Sequence, residues 1–214
     1  MRSLNSLFVD SKTPIIMTPI QIHLSKDPLL AKVISQIVLP EVNSSEDVYY
    51  SLLESIVSQQ LSVKVADVIF GRFLGLFDGG YPDAQKLIGL DTEAMRGVGL
   101  SYQKAGYMKN VAEFFVNENL MAKNWDEIPD DELIEYLSQI KGVGKWTVQM
   151  ILMFTLHRQD IMPIDDLGIQ QGMMRIYGIE KDKSLKNNML DIAKQWQPYR
   201  SVACRYIWRW KDTM

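Results

Sequence analysis

The chain has 214 residues, 47% hydrophobic and 23% charged, which is enough apolar material to core one domain or two small lobes. The single Cys204 excludes an internal disulfide, a cysteine zinc site and a four-cysteine iron–sulfur cluster. A formal net charge of −3 excludes a uniformly basic protein, so any phosphate-binding surface must be a local basic face helped by backbone donors.

Residues 1–20 hold two prolines with Asp10 and Lys12 among them, which argues against a signal peptide. No apolar run reaches the length of a membrane span. An intracellular setting is expected, in cytoplasm and nucleoid or in a nucleus, with no membrane partner. Helices are predicted almost throughout. Residues 44–59 place Val48, Tyr49, Leu52, Leu53, Ile56 and Val57 on one stripe, after Ser44 or Ser45 as cap. Ser62 opens a second helix that runs to residue 77. Asp83 and Thr92 open short helices, and Ser101 opens a longer one that turns Tyr107, Met108, Val111, Phe114 and Phe115 inward. Pro129 and Asp130 start a helix with an acidic first turn, which suits its dipole. Helices follow near 166–177, 184–196 and 200–210. Two-residue alternation never persists between turn signals, so no sheet is expected and the fold class is all-α, with about ten short helices.

Between two of these helices lies Ile140-Lys141-Gly142-Val143-Gly144-Lys145-Trp146. Gly142 can take a positive φ, and Gly144 leaves backbone amides uncovered where the next helix begins. A helix, a Gly-x-Gly turn and a second helix offer N–H groups and a positive dipole end to a phosphate, with Lys141 and Lys145 beside them. The same glycines could serve only to pack two helices closely, and the hairpin alone does not decide. Asp165 and Asp166 lead the next helix, where a pair of N-cap acids is the plain reading. The C-terminal run gathers Trp196, Tyr199, Trp208 and Trp210 among Arg200, Arg205 and Arg209, which alone reads as an aromatic core helix.

Taken in order, five stretches resemble the helix-hairpin-helix DNA glycosylase superfamily, and most of all its DNA-3-methyladenine glycosylase II (alkylation-repair) branch. They are Glu54-Ser-Ile-Val-Ser-Gln-Gln-Leu-Ser, Gly99-Leu-Ser-Tyr-Gln-Lys-Ala, the hairpin, Pro163-Ile-Asp-Asp-Leu and Trp196-Gln-Pro-Tyr-Arg-Ser-Val-Ala. The resemblance covers residues 45–211 and implies two helical lobes flanking a cleft. One lobe would hold residues 20–115 with part of the C-terminus, and the other residues 116–200. It implies a monomer that flips an alkylated purine out of double-stranded DNA and hydrolyses its N-glycosidic bond without a cofactor. The transition state has oxocarbenium character, so an ionised carboxylate beside C1′ stabilises it. The family's catalytic aspartate falls on Asp166, which has the apolar Ile169 three residues on, with Asp165 as cap or supporting acid. Trp146, Trp208 and Met150 would line the base pocket. Gln60 and Leu61 match the wedge that fills the gap left by the flipped base. Gly142, Val143, Gly144, Lys145 and Arg200 would meet phosphate. The carbonyls of Ile140 and Val143 would hold a monovalent cation bridging to it. Bifunctional relatives carry a lysine where this chain has Trp146, and Lys145, one residue early, is turned by about 100°. Strand cleavage is therefore not expected. The competing reading is a non-catalytic DNA-binding module, which would keep the two glycines but has no use for an aspartate beside an aromatic pocket.

Overall fold

The computed structural model describes residues 17–42 and 46–213, which contain α-helices and 3-10 turns and no strand. The helices are α1 Pro19–Leu24, α2 Pro28–Ile34, α3 Val48–Ser58, α4 Val63–Leu74, α5 Ala84–Gly89, α6 Thr92–Gly97, α7 Tyr102–Asn117, α8 Asp130–Leu137, α9 Lys145–Phe154, α10 Leu167–Tyr177, α11 Leu185–Ala193 and α12 Arg200–Lys211. The all-helical expectation holds. Two helices were not anticipated: α1 opens on a capping box between Thr18 and Gln21, and α2 on Asp27 followed by Pro28. The caps expected at Ser44 or Ser45 fall outside the described residues, and Asp47 caps α3 by accepting the Tyr50 N–H. Ser62 precedes α4 without a side-chain cap bond.

Helix α3 packs on α4, α7 and α9, while α7 also carries α5 and α6, and α8 pairs with α9. The second group is built from both ends of the chain: α2 packs on α12 and α10, and α11 on α10. Residues 47–155 therefore form one lobe, and residues 18–37 with 160–213 the other. Burial supports this grouping: Leu30, Val33 and Ile34 of α2 are covered by the C-terminal helices, while Val148, Ile151 and Leu152 of α9 are buried in the hairpin lobe. The buried side chains from Leu24 to Ile207 make one continuous core beneath both lobes.

Candidate active site

The hairpin is set by α7. Gly142 has φ +106°, and a Cβ there would lie 2.2 Å from Cγ of Tyr107. Asn110 donates to the Lys141 carbonyl at 3.0 Å, and Lys104 donates through Nζ to the carbonyls of Val57 and Gln59 at 2.7 and 2.8 Å, closing the end of α3. Immediately after, Gln60 takes φ 60° and Leu61 stands 38% exposed. Gln59 reaches across to the Gly142 carbonyl at 3.4 Å. The loop of Gln60 and Leu61, expected to form the wedge, and the hairpin are thus tied to one helix. Val143 and Ile140 are buried, whereas Gly144, Lys145 and Lys141 are exposed and Gly144 opens α9 with no side-chain cap. The free N–H groups of that first turn face outward with the positive end of the helix dipole.

Asp166 caps α10, and its Oδ1 accepts the Ile169 N–H at 2.7 Å. Two indoles complete its environment. Trp208 Nε1–H donates to Oδ1 at 2.7 Å, and Trp146 Nε1–H donates to Oδ2 at 2.8 Å. An ionised carboxylate only accepts, with about four lone-pair sites, so Oδ1 is filled and Oδ2 keeps one site open. Trp208 reaches Oδ1 because α10 is thin there: a Cβ on Gly168 would stand 3.0 Å from Trp208 Cδ1 and 3.1 Å from Asp166 Oδ1. One turn on, a Cβ on Gly172 would stand 2.3 Å from Ile207 Cγ2. The pair of glycines four residues apart was a readable signal for close packing on α12, and sequence reasoning did not use it.

A cleft of about 400 Å³ opens beside Trp146. Three helices each present a stripe to it: Ser51, Glu54, Ser55 and Ser58 from α3; Val63, Ala66, Asp67 and Phe70 from α4; Trp146, Met150 and Phe154 from α9. Trp146 is 43% exposed and stands between the cleft and Asp166. Trp208 lies behind it, with its ring 6.0 Å from that of Phe154. Asp166, Trp146, Trp208 and Met150 are therefore gathered in one place.

Asp165 is exposed and pairs with Lys186, away from the indoles. Arg200, expected at a phosphate, has protein partners in this structure. Its guanidinium grips Asp160 with Nε at 2.7 Å and one Nη at 2.9 Å, and the same Nη donates to the Asp160 carbonyl. The group ties the start of α12 to the preceding segment. The carbonyls of Ile140 and Val143 could hold a monovalent cation. Both residues are anchored by buried side chains, and the Ile140 carbonyl already accepts the Val143 N–H at 2.9 Å, a bond that leaves it a second lone pair.

Residues 53–198 match the family described as HhH-GPD superfamily base excision DNA repair protein. The chain is 33% identical over 212 residues to DNA-3-methyladenine glycosylase 1 of Schizosaccharomyces pombe, covering 95% of this chain and 92% of that one. A solved structure of an S. pombe 3-methyladenine DNA glycosylase in complex with abasic DNA superposes with TM-score 0.75 at 34% identity, over 89% of this chain and 95% of that one. A DNA-3-methyladenine glycosidase from Bacillus halodurans superposes with TM-score 0.78 at 33% identity, over 92% and 90%.

Proposed function

Since the chain belongs to the HhH-GPD superfamily of base excision DNA repair proteins and is a DNA glycosylase, we propose that it releases N-alkylated purines of the 3-methyladenine type from duplex DNA. It acts as a monofunctional enzyme and a monomer. The observation that carries this reading is the carboxylate of Asp166, pinned by two indoles and a backbone N–H at the edge of an aromatic cleft.

The chemistry follows from that placement. A flipped nucleotide puts its base in the cleft and its sugar by Asp166. The C1′–N bond breaks and its electron pair leaves with the base, so a cationic alkylated purine departs neutral. Positive charge then develops on the sugar, where Oδ2 of Asp166 meets it. A water supplies the oxygen that bonds to C1′ and gives its proton to solvent. Trp146 occupies the position where a lysine nucleophile would stand, which supports hydrolysis without strand cleavage. The exposed amides at 144–146, with Lys141 and Lys145, support a phosphate contact, and a cation on the Ile140 and Val143 carbonyls would add positive charge there. Gln60 and Leu61 serve as the wedge. The same carboxylate that caps α10 is thus the stabilising charge of the reaction.

The test is Asp166→Asn. Single-turnover release of 7-methylguanine from methylated duplex should fall by about 100-fold or more, the scale of losing one preorganised electrostatic contact. Affinity for undamaged duplex should stay within about threefold, because the hairpin contacts are untouched. Asp165→Asn should leave release nearly unchanged. Full activity of Asp166→Asn would end this assignment.

A further inference from the structure

Two acidic side chains in the cleft are unused by the chemistry above. Glu54 of α3 and Asp67 of α4 line the wall that faces Trp146, Met150 and Phe154. Their neighbours on the same stripes are Ser51, Ser55, Ser58, Val63, Ala66 and Phe70, which carry no charge. Among the described residues neither carboxylate forms an ion pair with a lysine or arginine, although seven such pairs exist elsewhere. Burial first, and Asp67 second, push the Glu54 carboxyl above the usual range. Both side chains are exposed in the cleft, so their charge is open to whatever enters it. A phosphate would be repelled. A planar cation would be attracted twice, by the carboxylates on one wall and by the indole face of Trp146 on the other.

We propose that Glu54, assisted by Asp67, reads the charge of the flipped base, favouring bases made cationic by alkylation over neutral ones of the same shape. This rests on the glycosylase reading of the cleft and adds to it the property that the pocket selects. Alkylation at N3 or N7 of a purine nucleotide leaves a formal positive charge, whereas deaminated or ring-bridged purines are neutral. The cleft would therefore discriminate by electrostatics in addition to fit.

The experiment compares affinities for two duplexes that resist cleavage. One carries 7-methylguanine on a 2′-fluoroarabino sugar, which keeps the cation. The other carries 7-methyl-7-deazaguanine, its neutral isostere. The wild-type chain should bind the cationic duplex about five- to tenfold more tightly, the range expected for a partly exposed charge pair strengthened by limited desolvation. Glu54→Gln should reduce that ratio to below about twofold, mainly by weakening the cationic complex, and Asp67→Asn should reduce it less. Unchanged thermal unfolding of both variants shows that the ratio reports the base and not the fold. An equal ratio in wild type and Glu54→Gln overturns the inference, as does a wild type with no preference. Release of 7-methylguanine from natural methylated duplex separates the two levels. If the wild type releases it but shows no charge preference, only this inference falls. If it releases none, the reading of the cleft falls first and this one with it.

Discussion

The two hairpin glycines look alike in sequence and do different work. Gly142 is required by the fold: at φ +106° an L side chain is strained, and its Cβ would overlap the Tyr107 ring. Gly144 is not: its φ is −95°, and a Cβ there meets nothing within 4 Å. What leaves room beside Gly144 lies outside the protein. Gly142→Ala should therefore lower stability by about 1–3 kcal/mol or more, seen as a drop in Tm. Gly144→Ala should cost at most about 1 kcal/mol, since alanine is only a poorer N-cap than glycine. Its loss should show in anisotropy titrations, as weaker binding to damaged and undamaged duplex alike. Lys145→Ala, measured the same way across salt, should flatten the slope of log K by roughly one. Equal thermal losses for the two glycine variants would contradict the distinction.

Among the elements, the contact of α10 with α12 sets the position of the Asp166 carboxylate. Gly172→Ala drives a methyl into Ile207 and should destabilise by about 1–3 kcal/mol, as overpacking does. Gly168→Ala pushes at the Trp208 indole and the Asp166 carboxylate together, so it should lower the single-turnover rate while leaving duplex affinity intact. A rate unchanged in Gly168→Ala would show that Trp208 has no part in holding the carboxylate. These elements also mark how far the sequence could be read. Helix stripes, caps and the hairpin were legible because they are local: Asp83 and Ser101 cap helices as expected, and Asp166 was singled out by its offset to Ile169. Pairings across 20 residues or more were not legible. Nothing near Arg200 in the chain names Asp160 as its partner, and nothing near Asp166 announces two indole donors from α9 and α12. Helices α1 and α2 were overlooked because they are short, and they are stable only against helices far along the chain. Glu54 and Asp67 read as ordinary solvated acids until α3 and α4 are brought to the same cleft.

For the molecule as a whole, the lobe built from both chain ends is fastened at Asp27. This residue is 3% exposed, and its carboxylate takes the N–H groups of Leu29 and Leu30 on one oxygen. The other oxygen takes the Tyr177 hydroxyl at 2.6 Å, the Trp196 indole at 3.0 Å and the Gln195 amide at 3.1 Å. Removing the acceptor strands several buried donors, so Asp27→Ala should cost about 3 kcal/mol or more in chemical denaturation. Tyr177→Phe should cost about 1 kcal/mol, the size of one hydrogen bond. A loss below about 1 kcal/mol for Asp27→Ala would show that the α2–α12 contact holds without it. In the opposite lobe, α7 fixes both the loop of Leu61 and the hairpin through Lys104, Tyr107 and Asn110. On the proposed reading, with the hairpin on a phosphate and Leu61 in the duplex, that rigid spacing would act as a ruler: the nucleotide to be inspected would be counted off from the anchored phosphate before any base is touched.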